Sequence, residues 1–157
     1  MTEDKESIKL YMSEFVLYMN EKCTELKMYK TRFSNPHGMD MLNNYSCCED
    51  VLILSKEALK NEKIKAICNT KFHKGTYKFF RDGKMQIKSI TWINTNKLLG
   101  ERNIFGLKTG ITNKAGGCLS TAFKLNESDS KFGIVIVLGC VSTEARFKDT
   151  LKVLKWV

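Results

Sequence analysis

The fold is decided by three consecutive stretches. They read Ile104-Phe105-Gly106-Leu107-Lys108-Thr109-Gly110-Ile111-Thr112, then Ala115-Gly116-Gly117-Cys118-Leu119-Ser120-Thr121-Ala122-Phe123-Lys124, then Phe132-Gly133-Ile134-Val135-Ile136-Val137-Leu138-Gly139. Each is a short run of β-branched, aromatic and small residues bounded by glycine or polar residues, which is the pattern of a strand. Strands are predicted over Ile104–Gly110, Gly117–Lys124 and Phe132–Gly139. The polar link Leu125–Lys131 is short enough to make the last two antiparallel neighbours. The run Phe132 to Leu138 is apolar at every position, so that strand is predicted to be central and covered on both faces.

Outward from this sheet, Ser142 caps a closing helix with Glu144 in its first turn, and Phe147, Leu151 and Leu154 form its inner stripe. On the other side, Asn94 to Gly100 reads as a loop. Before it, Tyr77–Phe80 and Met85–Trp92 flank the turn Arg81-Asp82-Gly83, a hairpin signature. A helical turn is expected near Ile64 to Cys68. Ser46-Cys47-Cys48-Glu49 has the spacing of a capping box, and Val51, Leu52, Leu54, Ala58 and Leu59 continue that helix inward. Phe33 to Tyr45 is a loop around Asn35-Pro36-His37-Gly38. Ile8, Met12, Phe15, Val16 and Met19 share one face of a helix from about Lys5 to Lys27. Helices, a hairpin, three antiparallel strands and a closing helix make an α+β domain.

The chain has 157 residues, enough for one domain or part of one, and 43% of them are hydrophobic. Its net charge of +9 permits anionic partners. Lysine is nonetheless spread along nearly every segment without a block of five or more like charges, which describes a solvated surface and not a nucleic-acid stripe. The cysteines at 23, 47, 48, 68, 118 and 140 show no C-x-x-C and no zinc spacing, and are expected to be buried free thiols. No apolar run is long enough for a membrane span. Met1 to Glu6 is polar, so the expected location is cytoplasmic if Met1 is the true start, and exported if a signal sequence precedes it.

Several ordered motifs now acquire a common meaning. Thr31-Arg32-Phe33-Ser34-Asn35-Pro36-His37-Gly38-Met39-Asp40, Asn94-Thr95-Asn96-Lys97-Leu98-Leu99, Gly106-Leu107-Lys108-Thr109-Gly110 and Gly139 through Phe147 with Trp156 follow one another in the chain. Together they resemble the D-alanyl-D-alanine carboxypeptidases, the low-molecular-mass penicillin-binding serine peptidases, over roughly residues 10 to 157. Phe15-Val16 with Met19-Asn20, and Tyr45-Ser46 with Glu49-Asp50, are similar to further family segments. The family signatures are S-x-x-K, S-x-N and K-T-G. Only the third is present in its expected place. Ser128-Asp129-Ser130-Lys131 fits S-x-x-K but follows the K-T-G, in a turn between strands. Tyr18-Met19-Asn20 fits Y-x-N but matches the family's Met-Asn helix better.

The resemblance implies a partial β-lactamase/transpeptidase-like domain, with residues 1–157 as the C-terminal portion of one domain. It implies substrate-binding roles for Lys108, Thr109, Gly110 and Thr112. Lys108 would supply positive charge, the Thr109 hydroxyl would meet a carboxylate, and Gly110 would let a peptide or β-lactam approach the strand edge. Thr112 would flank the site. No catalytic residue is assigned, because the nucleophilic serine and its lysine are not found, and no metal or other cofactor is expected. His37 is read as a structural hydrogen-bonding residue and His73 as surface.

Two functions compete. One is a serine-type carboxypeptidase acting through an acyl-enzyme, inactive as this chain alone and binding D-Ala-D-Ala-type peptides or β-lactams once the missing part is supplied. The other is a non-catalytic descendant that binds a protein partner or itself along an open sheet edge. A nucleic-acid binder has no supporting motif.

Overall fold

The structure, a computed structural model, describes residues 4–101, 103–125 and 131–156. Helix α1 (Lys5–Glu25) starts at Asp4, whose carboxylate accepts from the Glu6 amide, and ends before Lys27, which is left-handed at φ 62°. Its apolar face is largely exposed. Ile8, Met12 and Phe15 are uncovered, and Cys23 is the buried residue of the helix.

A single antiparallel bridge between Arg32 and Tyr45 closes the following loop. The loop is held from outside by Asn20. Its side chain donates to the Phe33 carbonyl at 2.8 Å and accepts from the Phe33 amide at 2.8 Å. Inside it, Asn35 bonds the Gly38 amide and the Met39 carbonyl. His37 accepts from the Met39 amide at 3.3 Å, the structural role expected of it.

Helix α2 (Cys48–Ala58) corrects the capping box. Its N-cap is Cys47, with no side-chain cap. The Ser46 hydroxyl is instead 2.7 Å from that of Thr31, and Glu49 pairs with Lys30 at 2.8 Å. The preceding segment competes for both side chains and wins them, while buried Asp50 accepts from the Lys30 amide and the Thr31 hydroxyl. Helix α3 (Glu62–Cys68) is capped by Asn61, which accepts from two amides.

Strands β1 (Phe72–Arg81) and β2 (Lys84–Ile93) form a hairpin longer than the sequence reading expected. Its two-residue turn has positive φ at Asp82 (51°) and Gly83 (71°), the primed geometry that matches strand twist. The pair forms a sheet of its own.

The second sheet has the order β3-β4-β5, from β3 (Ile104–Thr112), β4 (Gly116–Lys124) and β5 (Phe132–Cys140), all antiparallel. This corrects the placement of Phe132–Leu138: β4 is central and β5 is an edge. Its all-apolar sequence has a different cause. Helices α2 and α4 (Thr143–Val153) both pack on β4 and β5. Adjacent β4 residues show that they lie on opposite faces: Leu119 joins Phe147 of α4 in the core, and the Ser120 hydroxyl meets Ser55 of α2 at 2.8 Å.

The core is Leu98, Ile104, Leu119, Phe123, Val135 and Phe147, with Leu151 and Leu154 packed against it. Ser142 caps α4 through the Ala145 amide, as expected. All six cysteines are free, but only Cys23 and Cys140 are buried and Cys48 is exposed. The S-x-x-K match at 128–131 lies outside the described residues except for Lys131. Among the described residues no helix is long and apolar enough to cross a membrane.

Candidate substrate-binding strand edge

Among the described residues strand β3 pairs with β4 on one side only, so its other edge has no strand partner. The register shifts between Phe105 and Lys108, a bulge that re-aims the strand. Gly106 sits there because α3 closes on it: a Cβ at that position would lie 2.5 Å from the Cys68 carbonyl oxygen.

The sequence-predicted residues follow in order along this edge. Lys108 is exposed, and its ammonium donates to the Thr109 carbonyl. The Thr109 side chain is inward, with the residue 8% exposed, and its hydroxyl is 2.5 Å from that of Thr95. Two hydroxyls sharing one hydrogen bond leave one proton available for another acceptor. Gly110 is exposed, and nothing lies within 4 Å of where its Cβ would be. No neighbour among the described residues therefore requires glycine at this position.

Thr112 is bonded within the chain. Its hydroxyl donates to Asp40 Oδ1 at 2.5 Å and accepts from the Ala115 amide at 3.0 Å. The other Asp40 oxygen accepts from the Lys114 amide. The Thr112 hydroxyl bond, aided by Lys114, holds the Asp40 carboxyl below its ordinary range. Thr112 thus ties the Asn-Pro-His-Gly loop to the end of β3. A cleft of about 390 Å³ lies beside this tie, lined by Phe33, Asp40, Tyr45, Lys114 and Cys118 among others.

Three functional features escaped the sequence reading. Arg146 is 4% exposed, and its guanidinium donates to the Gly110 carbonyl at 2.7 Å and lies 4.9 Å from the Phe147 ring centroid. Its Nε has no partner among the described residues. The signal was legible: Thr143, Arg146, Phe147 and Thr150 share the inner face of α4, and a cation on such a face needs a reason. The second feature is Asn94-Thr95-Asn96 as a hub. Asn94 donates to the Cys68 and Thr70 carbonyls, Thr95 meets Thr109, and Asn96 donates to Thr121. This segment joins α3, β3 and β4 around the site. The third is Asp40.

Chemically, the edge sets the Lys108 ammonium and the Thr95–Thr109 hydroxyl pair beside a strand without a second neighbour among the described residues. Among the described residues no serine hydroxyl is hydrogen-bonded to a lysine ammonium, and no cluster of three metal-ligating side chains occurs. Burial pushes the Cys23, Cys48, Cys68 and Cys140 thiols up, away from the reactive thiolate.

The family model described as D-alanyl-D-alanine carboxypeptidase matches residues 8–140. The chain belongs to that family. Among curated carboxypeptidases it is 34% identical over 142 residues to DacF of Bacillus subtilis, covering 90% of this chain and 34% of that protein. It is 27% identical over 153 residues to DacA of Haemophilus influenzae, covering 96% and 36%. Among solved structures, the Streptomyces K15 DD-transpeptidase superposes with a TM-score of 0.79 at 30% identity, covering 90% of this chain and 53% of that one. Penicillin-binding protein D2 of Listeria monocytogenes, in its cefotaxime-bound form, gives 0.72 at 29%, covering 91% and 55%. This carboxypeptidase-family chain therefore spans about a third of those curated relatives and about half of those solved chains. Its α+β architecture is that of part of their domain.

Proposed function

We propose that residues 1–157 are the C-terminal portion of a single serine-type D-Ala-D-Ala carboxypeptidase domain and supply its substrate-holding side. The observation that carries this reading is the β3 edge, where Lys108, buried-side Thr109 and unencumbered Gly110 lie in register beside an open backbone. An extended D-Ala-D-Ala-type peptide, or a β-lactam, adds along that edge by backbone hydrogen bonds. Lys108 contributes positive potential, and the spare proton of the Thr95–Thr109 pair meets the substrate carboxylate. Thr112 acts with Asp40 to fix the end of the strand.

The acyl step belongs to the part carrying S-x-x-K and S-x-N. Its serine oxygen adds to the peptide carbonyl carbon while the neighbouring base takes the hydroxyl proton. The C–N bond breaks, the leaving amine of D-alanine receives a proton, and water later cleaves the ester. Without that serine and lysine, catalysis falls by about 10⁶-fold, so this chain alone is inactive.

A fluorescent penicillin tests both halves of the reading. The 157-residue chain is expected to remain unlabelled. Adding a polypeptide that carries the two upstream motifs is expected to restore labelling, and Lys108→Ala is expected to weaken it. Covalent labelling of the chain alone would overturn the inactivity. A reconstituted complex indifferent to Lys108 would overturn the site.

The uncovered α1 face and the open β5 edge favour a second reading, a non-catalytic module that binds a protein partner or itself. Light scattering decides there: a monodisperse monomer at all concentrations counts against self-association.

A further inference from the structure

Among the described residues the β1–β2 hairpin pairs with nothing but itself. Residues opposite one another share a face, so the register places Phe80 with Met85 and Lys78 with Ile87 on one surface at the tip. That surface is bare: Phe80 is 77% exposed, Ile87 64% and Met85 57%. Cations flank it on both faces of the hairpin. Lys78 and Lys74 share the apolar face, and Arg81, Lys84 and Lys88 project from the opposite one, against the single carboxylate of Asp82. Among the described residues, Lys74, Lys78, Lys84 and Lys88 make no ion pair.

We propose that this tip docks on the surface of an anionic phospholipid bilayer. Hairpin tips in water are ordinarily made of turn-forming polar residues, and three large apolar side chains there gain only by being covered. An apolar protein groove would have to desolvate the flanking ammonium groups. A bilayer interface accepts both sets. The apolar side chains reach the headgroup–acyl boundary while lysine stems lie along it with their charges at the phosphates. A nucleic acid would satisfy the cations alone, since Met85 and Ile87 offer bases no stacking platform. The contact is peripheral and independent of the β3 edge.

The chain is sedimented with vesicles of phosphatidylglycerol mixed with phosphatidylcholine, and with phosphatidylcholine alone. It is expected to bind the anionic vesicles, less so as salt rises, and to ignore the neutral ones. Lys78→Gln with Lys84→Gln is expected to weaken binding about thirtyfold. Phe80→Ser with Ile87→Ser is expected to weaken it at least about tenfold. A control pair of equal charge change elsewhere, Lys56→Gln with Lys148→Gln, is expected to have a much smaller effect. All these side chains are exposed, so circular dichroism should confirm an unchanged fold. The proposal is overturned if the control pair weakens binding as much as the tip pair, or if the apolar pair changes nothing. It is also overturned if a single-stranded oligonucleotide binds with the same dependence on Lys78 and Lys84 while vesicles do not bind. Penicillin labelling of the reconstituted domain does not depend on these residues, so failure here leaves the carboxypeptidase reading standing.

Discussion

At the scale of single residues, the β3 edge is backed by buried polar groups, most of them hydrogen-bonded. Asn96 is the clearest. Its amide donates to Thr121, which is fully buried, and its carbonyl oxygen accepts from the Leu98 amide. Asn96→Ala leaves both partners unpaired, and an orphaned buried group costs its desolvation. The expected loss is about 2–3 kcal/mol in urea unfolding. Asn96→Asp should rescue it only in part: the carboxylate can accept from the Thr121 hydroxyl and the Leu98 amide, but it places a charge at a buried position. Gly110 behaves oppositely. With open space where its Cβ would be, Gly110→Val should leave the urea midpoint unchanged yet abolish β-lactam labelling of the reconstituted domain. A large stability loss would mean that glycine serves the fold. Lys108, Thr109 and Gly110 were legible as a local motif, and Asn94 to Leu99 as a segment. The destinations of the side chains were not, because Thr95 meets Thr109 across 14 positions and Arg146 reaches Gly110 across 36. The capping box failed for the same reason: Ser46 had a better partner in Thr31, 15 positions away.

At the scale of elements, strands and helices followed their patterns closely, whereas their neighbours did not. An all-apolar run reports coverage of two faces, which β5 has, and says nothing of whether its edges are paired. The closing helix was the most legible element, since its cap and stripe are local. Ser142→Ala removes the acceptor of the Ala145 amide and should cost about 1 kcal/mol, read as a lower urea midpoint. The tie between the Asn-Pro-His-Gly loop and β3 carries a pH dependence. The Asp40 carboxyl is held below its unfolded value of about 3.9 by the Thr112 bond and Lys114. A depressed carboxyl contributes stability that is fully present above the unfolded value and is lost as pH falls through the folded one. The Glu144 carboxyl, lowered by its bond to Lys97, adds in the same direction. The urea midpoint should therefore fall below about pH 4, and less steeply in Asp40→Asn than in the parent chain. Parallel acid limbs in the two proteins would remove Asp40 from this account.

At the scale of the whole molecule, the decisive quantity is surface. The chain exposes 11842 Å², whereas a compact monomer of its mass exposes about 8,000 Å². An excess of roughly 3,800 Å² fits an open β5 edge, a bare α1 face and a hairpin that stands alone. It is also what a portion of a domain would show, and no residue pattern could have disclosed it, since periodicity marks which face of an element is apolar and not whether anything covers it. Denaturant sensitivity turns this into a measurement, because the urea m-value scales with the area exposed on unfolding. The unfolded chain exposes about 26,000 Å². A compact fold would bury about 18,000 Å² of that, and this one buries about 14,000 Å². The m-value should therefore be about a fifth below that of a compact domain of equal length. Adding the polypeptide that carries the upstream motifs should raise both the midpoint and the m-value, as binding to the native state alone requires. An m-value already at the compact level in dilute solution would show that the chain covers its own apolar faces. The proposal that it is one portion of a larger carboxypeptidase domain would then lose its physical support.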